Sequence, residues 1–122
     1  MIISERTVNE ITLLDLEGNL AREENVQFRK HITALIDAGA RSLILNLARV
    51  PHMDSSGLGE LISCYRTMKE RNGRVKLLSP NHRLQLILEI TKLNTLFETF
   101  DSEPVAVASF MPDASSPPVL TN

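Results

Sequence analysis

The stretch that decides the fold is Ser42-Leu-Ile-Leu-Asn-Leu47, followed after a short linker by Met53-Asp-Ser-Ser-Gly-Leu-Gly59. The first part is a nearly continuous apolar run, typical of a strand covered on both faces, although such a run also fits a buried helix. The second part opens a helical pattern whose apolar face carries Leu58, Leu61, Ile62, Tyr65 and Met68. We therefore expect a buried strand that leads into a helix through Asp54–Gly59.

On the N-terminal side of this stretch, the pattern predicts a hairpin and a long helix. Ile2–Val8 and Ile11–Glu17 are strand candidates, and Asn9-Glu10 is the turn between them. Arg22–Ala38 contains neither Gly nor Pro and keeps its apolar residues at helical spacing. Gly39 follows at the position of a C-terminal cap, which indicates where the helix ends.

On the C-terminal side, strands and helices continue to alternate. Arg74–Leu78 is predicted to be a strand, and Ser79-Pro80 to be the N-cap and first position of a helix. That helix runs through roughly Glu89–Thr91, and Leu96–Phe100 is a last short strand candidate. This order predicts an α/β fold, a mixed sheet of four to five strands with helices packed mainly on one face.

The end of the chain differs in composition from the rest. Ser102-Glu-Pro104 repeats the cap-and-proline pattern and predicts a short helix to about Phe110. Residues 111–122 are predicted to be a C-terminal tail, disordered from Pro112 onward, because they mix three prolines with Ala, Ser and Asp. We therefore expect one domain over residues 1–110.

Composition and charge exclude several kinds of protein. The 122 residues carry 13 Lys and Arg against 15 Asp and Glu, a formal charge of −2, and no basic block, which argues against a nucleic-acid or membrane surface. The five aromatic residues leave few rings on which bases could stack. One cysteine, Cys64, and three scattered histidines make no recognisable metal site. With neither a signal peptide nor a membrane span, we expect a cytoplasmic domain without a cofactor.

The segment Asp54–Gly59 is the one that carries chemistry. In the structural interpretation, its two hydroxyls cap the helix and its glycines let another backbone approach closely. In the functional interpretation, a hydroxyl at a helix N-terminus is a favourable place for a phosphate, because free N–H groups and the helix dipole attract an anion. A phosphate adds about −1.5 to −2 charges, which would roughly double the net charge and could switch the binding of a partner.

Five segments of the sequence together match a known family pattern: Leu43–Leu47, Met53–Gly59, Gly73 before a strand, the turn Gly18-Asn-Leu20, and Leu96-Phe97. In these segments the chain resembles the STAS family and, more narrowly, the bacterial anti-sigma factor antagonists. It covers roughly residues 1–110. The resemblance implies a STAS-like fold and a protein that binds other proteins rather than an enzyme.

The resemblance also implies a phosphorylation switch. Ser55 matches the serine that is phosphorylated by a partner anti-sigma factor, itself an ATP-dependent serine kinase. Asp54 matches the residue before it, and Ser56 matches a position that is not the phosphoacceptor. Unphosphorylated relatives bind the anti-sigma factor and release sigma, and a PP2C-type phosphatase restores that form. Contacts with the partner are then expected at Asp54, Ser56, Gly57, Leu58, Gly59, Ala21, Arg22 and His52.

Three positions depart from the family pattern. Ala21 stands where relatives often carry an acidic residue, and His52 stands where they usually carry an apolar or aromatic one. Glu60 stands where they are often aliphatic, about one helical turn from Ser55. Its carboxylate is expected to disfavour a phosphate by about a few tenths of a kcal/mol, by analogy with like-charge pairs on helices.

Two other functions fit the same residues. A STAS subunit of another assembly, such as a lipid-transport complex or a signalling scaffold, would keep this loop packed permanently against its partner. A hydrolase built from Ser55, His52 and Asp54 would need all three side chains to meet within four residues, a geometry that is hard to achieve.

Overall fold

Within residues 1–111, the alternation of strands and helices produces one five-stranded mixed sheet. The computed structural model describes residues 1–111. The strands are β1 (Ile2–Val8), β2 (Ile11–Glu17), β3 (Ser42–Arg49), β4 (Arg74–Leu78) and β5 (Thr99–Phe100). They lie in sequence order, with β1 antiparallel to β2 and the remaining neighbours parallel. The predicted hairpin and mixed sheet are confirmed.

The four α-helices of the described residues cover the two faces of the sheet unequally. They are α1 (Glu24–Asp37), α2 (Ser55–Glu70), α3 (His82–Ile90) and α4 (Glu103–Ala108). Right-handed crossovers between parallel strands that follow one another in order place their helices on the same face. Accordingly α1, α2 and α3 share the main core with one face of the sheet, as the sequence predicts.

The central strands alternate between two cores. On the main face, leucines of β2 and β3, such as Leu14 and Leu45, pack under the three longer helices. On the opposite face, Leu13 and Ile44 pack against α4. The near-continuous apolar run in β3 is therefore explained by burial of both faces of that strand.

Helix α4 is fixed to the opposite face by charged side chains at both of its ends. The guanidinium group of Arg6 bonds both Asp15 of β2 and Glu103 at the first turn of α4. At the other end, Lys76 is only 4% exposed, and its Nζ donates to the carbonyl oxygen of Ser109. Short as it is, α4 thus has polar anchors in addition to its apolar contacts.

Three element boundaries differ from the prediction. Helix α1 begins at Glu24 rather than Arg22, because Arg22 has a left-handed backbone with φ of 50°. The predicted strand Leu96–Phe100 is reduced to Thr99–Phe100, and a short 3₁₀ turn, Leu93–Thr95, precedes it. Strand β3 extends to Arg49, two residues past the apolar run.

The predicted cap Ser79-Pro80 is wrong. Ser79 has a left-handed φ of 55°, and its N–H donates to the carbonyl of Phe100, so it ends the parallel sheet instead of starting a helix. Asn81 is the N-cap of α3, and its side-chain oxygen accepts from the N–H of Leu84 at 2.8 Å. By contrast, Ser102 does cap α4, with Pro104 in the first turn, as predicted. The predicted disordered tail lies outside the described residues.

Candidate functional site

Two loops at the carboxyl ends of β2 and β3 are joined edge to edge. The N–H of Leu20 donates to the carbonyl of His52 at 3.1 Å, and the N–H of Asp54 donates to the carbonyl of Leu20 at 3.4 Å. Leu20 and Met53 form an isolated parallel bridge between the loops. The loop before α1 therefore lies beside the start of α2, so residues more than 30 positions apart in sequence meet.

The N-cap of α2 is the carboxylate of Asp54, not a serine hydroxyl as the structural interpretation expected. Its Oδ1 accepts from the N–H of Gly57 at 2.9 Å and from the hydroxyl of Ser56 at 2.6 Å. The bond from Ser56, followed by that from Gly57, lowers the pKa of the Asp54 carboxyl group below its usual value, and the charge of Arg22 contributes. Asp54 is therefore ionised at neutral pH.

The hydroxyl of Ser56 uses its full hydrogen-bonding capacity inside the protein. It donates to Asp54, and it accepts from the side-chain amide of Asn25 at 2.6 Å and from the N–H of Arg22 at 3.3 Å. A hydroxyl has one proton to donate and two lone pairs to accept with. Nothing remains with which the Ser56 oxygen could react unless these bonds break.

Ser55 differs from its neighbour in this respect. It is the first residue of α2 and is exposed, as Ser56 is. Among the hydrogen bonds of the described residues, none involves the Ser55 hydroxyl. The two serines are therefore alike in exposure but differ in hydrogen bonding, because of the two only Ser55 has a hydroxyl without a partner among residues 1–111.

The two glycines of the segment have different surroundings. Gly57 is buried, and a Cβ built there would lie 2.0 Å from the carbonyl oxygen of Leu20. The close backbone approach that Gly57 permits is thus made within this chain, between α2 and the loop before α1. Gly59 is exposed, with nothing within 4 Å of a Cβ built there, so its surface is open to another molecule.

The remaining predicted contact residues surround Ser55 on these two loops and the first turn of α2. Arg22 and His52 are exposed, whereas Ala21 is half-buried. Leu58 is also half-buried and packs against the edge of the main core. No hydrogen bond among the described residues joins the His52 ring to Ser55, and the Asp54 carboxylate is held by Ser56 and Gly57. The relay that a hydrolase would require is thus not formed in this arrangement.

Glu60 does not act as a free charge near Ser55. Its carboxylate pairs with the guanidinium of Arg29 on α1, and its side chain is only 12% exposed. The hydrogen bond from Arg29 to Glu60 raises the pKa of the Arg29 guanidinium group above its usual value. Because Arg29 offsets the negative charge, we expect Glu60 to disfavour a phosphate at Ser55 by less than the sequence alone predicts.

Sequence reasoning missed Asn25, which holds Ser56 from the first turn of α1. Asn25 is 3% exposed and occupies the same helix face as Phe28, Ile32 and Ile36. A polar residue on an otherwise apolar stripe is a signal that could have found it, because a buried amide requires hydrogen-bond partners.

The described part of the chain offers little other chemistry. Among residues 1–111, no group of three or more His, Cys, Asp or Glu side chains is placed to hold a metal ion. None of the helices in this range is both long and apolar enough to cross a bilayer. Cys64 is buried in the main core, and desolvation raises the pKa of its thiol to about 12. That thiol is therefore a packing group and not a nucleophile.

Comparison with known sequences identifies relatives along most of the chain. Residues 3–106 match the profile of the STAS domain. The anti-sigma-B factor antagonist of Bacillus subtilis is 31% identical over 88 residues, which are 69% of this chain and 80% of that protein.

Known structures share the fold. An anti-sigma factor antagonist from Mycobacterium paratuberculosis superposes with a TM-score of 0.81 at 14% identity, covering 88% of this chain and 92% of its own. SpoIIAA, a Bacillus cell fate determinant, superposes in its phosphorylated form with a TM-score of 0.72 at 25% identity, covering 89% of this chain and 99% of its own.

Proposed function

The chain belongs to the STAS domain family, among the anti-sigma factor antagonists, and we propose that Ser55 is its phosphorylation switch. In this proposal the unphosphorylated protein binds an anti-sigma factor and so releases a sigma factor. The anti-sigma factor is also an ATP-dependent serine kinase, and phosphorylation of Ser55 ends binding. A PP2C-type phosphatase restores the active form.

The observation that carries the proposal is the contrast between the two adjacent serines. Both are exposed, yet only Ser55 has a hydroxyl without hydrogen bonds inside the described chain, because Ser56 is held by Asn25, Arg22 and Asp54. A kinase that docks on this loop would therefore meet one free nucleophile. This physical selection agrees with the serine that the family resemblance assigns.

The electrostatics at Ser55 support a large effect of one phosphate. The first residue of a helix lies where the N-terminal end of the helix dipole favours an anion, so the modified protein can remain folded. The same phosphate would stand beside the ionised Asp54, and against a net charge of −2 it adds about −1.5 to −2 charges. Two neighbouring anions at an exposed point would repel an acidic partner and obstruct a close contact.

The surface around Ser55 has features of a protein-binding site. Gly59 lies one helical turn beyond it and has open space above its backbone, so another chain can approach α2 closely. Arg22 and His52 provide exposed polar groups, and Leu58 provides a half-buried apolar one. SpoIIAA, with the same fold, exists in a phosphorylated form, which supports the compatibility of this architecture with a phosphate.

Phosphorylation of the isolated protein tests this proposal. The protein is incubated with MgATP and an ATPase-type anti-sigma factor from the same organism, and the modified residue is located by mass spectrometry. We expect one phosphate, on Ser55, and none on the Ser55→Ala variant. Absence of phosphate on Ser55 would refute the proposed switch.

Binding measurements on variants separate the switch from the folding of the protein. Ser55→Ala should bind the anti-sigma factor in the presence of ATP as tightly as the wild type does in its absence, whereas Ser55→Asp should bind more weakly. Ser63→Ala is a matched control, because Ser63 lies on the same helix two turns beyond Ser55. Equal binding by Ser55→Asp and Ser63→Ala would contradict the proposed role of negative charge at Ser55.

A further inference from the structure

Asn25 combines burial with an incomplete set of hydrogen bonds. Its side-chain amide nitrogen donates to Ser56, whereas its Oδ1, fully shielded from solvent, has no hydrogen-bond partner among the described residues. A buried polar atom without a partner is costly, and an apolar side chain of similar shape would avoid that cost. Among the described residues, the buried amide of Asn25 thus makes one hydrogen bond, to Ser56, and leaves its oxygen without a partner.

The orientation of that amide follows from the other bonds of Ser56. The single hydroxyl proton of Ser56 is directed at Asp54, at 2.6 Å, so its oxygen can only accept from Asn25. The amide nitrogen must therefore face Ser56, and the amide oxygen faces the interior. Of the three groups that hold Ser56, Asp54 also caps α2, and Arg22 contributes only a long backbone bond of 3.3 Å. Among the described residues, the bond to Ser56 is the one hydrogen bond that the Asn25 side chain makes.

We propose that Asn25 is a positioning residue that confines phosphorylation to Ser55, by holding the Ser56 hydroxyl in a bonded and unreactive state. The inference rests on the proposed function, because it concerns the selection between two adjacent serines by the same kinase. Nothing in their exposure makes that selection, since both serines are exposed.

The chemistry of phosphoryl transfer explains why hydrogen bonding selects the acceptor. The serine oxygen attacks the γ-phosphorus of ATP bound to the kinase, and a new O–P bond forms. The bond from that phosphorus to the β,γ-bridging oxygen breaks and ADP leaves, while the hydroxyl proton passes to a base of the kinase. Ser56 could react only after giving up the bonds from Asn25 and Arg22, which occupy its lone pairs, and turning its proton away from Asp54. Within residues 1–111, the Ser55 hydroxyl has no such bonds to break.

Site-resolved phosphorylation tests the inference. Four proteins are treated with MgATP and the anti-sigma kinase that phosphorylates the wild type. They are the wild type, Asn25→Leu, Asn25→Ala and the control Gln27→Ala, which changes an exposed residue of the same helix. Leucine approximates the shape of asparagine without its polar atoms, and circular dichroism establishes that each variant is folded. We expect phosphate on Ser55 alone in the wild type and Gln27→Ala. Loss of one hydrogen bond should make Ser56 roughly tenfold more reactive in both Asn25 variants, so that phosphate becomes detectable on Ser56 as well.

The Ser55→Ala variant allows phosphorylation of Ser56 to be measured without any contribution from Ser55. Ser55→Ala alone should accept no phosphate, whereas Ser55→Ala combined with Asn25→Leu should accept it on Ser56. If the wild type is phosphorylated on Ser55 and every folded Asn25 variant also carries phosphate only there, the inference is overturned while the proposed function stands. If the wild type takes no phosphate at all, the proposed function fails and the inference fails with it.

The bond between Asn25 and Ser56 can also be tested without a kinase and without substituting Asn25, so the test does not depend on whether the Asn25 variants fold. In NMR spectra of the unmodified protein, the side-chain amide resonances of Asn25 should shift in Ser56→Ala and stay in place in Ser63→Ala. Unchanged Asn25 resonances in Ser56→Ala would show that the bond to Ser56 does not hold in solution, and that result would overturn the inference.

Discussion

The close packing between α2 and the loop before α1 makes Gly57 the most sensitive position of the site. A Cβ built at Gly57 would lie 2.0 Å from the carbonyl oxygen of Leu20 and 3.0 Å from a side-chain carbon of Met53. The nearest atom belongs to the backbone of Leu20, whose N–H and carbonyl are both hydrogen-bonded to the loop before α2. Gly57→Ala therefore cannot be accommodated by rotation of a side chain.

The size of the effect follows from two opposing contributions. Overpacking typically costs about 1–3 kcal/mol, and we take the upper end because a backbone carbonyl has to move by at least about 1 Å. Replacing glycine by alanine inside a helix favours the folded state by about 1 kcal/mol. The net loss in the free energy of unfolding should then be about 2 kcal/mol, or roughly 10 °C in Tm for a domain of this size.

Gly59→Ala is the matched control on the same helix. Nothing lies within 4 Å of a Cβ at Gly59, so only the gain in helix propensity remains, and this variant should be more stable than the wild type by about 0.5–1 kcal/mol. Urea unfolding followed by circular dichroism measures both changes. If Gly57→Ala is as stable as Gly59→Ala, the reasoning about the contact with Leu20 is refuted.

Three further predictions concern groups away from the switch. Hydrogen bonds from Arg6 lower the pKa of the Asp15 and Glu103 carboxyl groups below their ordinary values of 3.8 and 4.5. In acid the unfolded chain therefore binds more protons at these two groups than the folded protein does. The resulting stability is present above about pH 4.5 and is lost as the pH falls below about 3.8; urea titrations should show this pH dependence flattened in Arg6→Ala. Lys76→Ala should lower the free energy of unfolding by about 2 kcal/mol and speed amide exchange in α4. Lys76→Met should recover most of that stability, because its apolar side chain fills the space that alanine leaves empty. Cys64, whose pKa burial raises to about 12, should react with Ellman's reagent at least about a hundredfold faster in urea than in the native protein, and equal rates would contradict its burial.

Local patterns in the sequence predict most of the elements, because those elements depend on neighbouring residues. The hairpin has the predicted bounds, since both strands carry strand-forming residues around one tight turn. Gly39 follows α1 with a φ of 102°, a conformation that glycine adopts readily, and so marks the helix end as predicted. The prediction that Ser79 caps a helix was wrong, because the hydrogen bond of Ser79 to Phe100, 21 positions away, overrides the local cap signal.

The site was predictable only in its contiguous part. Asp54–Gly59 is visible as a motif, but the residue that holds Ser56 lies 31 positions earlier, on another helix. The role of Asn25 depends on two loops that meet at the carboxyl ends of parallel strands, which no window of sequence contains. Likewise, Gly57 could be recognised as a position that permits close approach, yet the contacting group, Leu20, belongs to the same chain and not to a partner.

In the proposed switch, the phosphorylation state of Ser55 controls the binding of an anti-sigma factor. Its most direct test is the Kd of that partner for two homogeneous samples, the unmodified protein and the protein phosphorylated stoichiometrically on Ser55, measured by isothermal titration calorimetry without nucleotide turnover. We predict that phosphorylation weakens binding by at least about tenfold, which corresponds to about 1.4 kcal/mol. Equal affinities of the two samples would contradict the proposed switch.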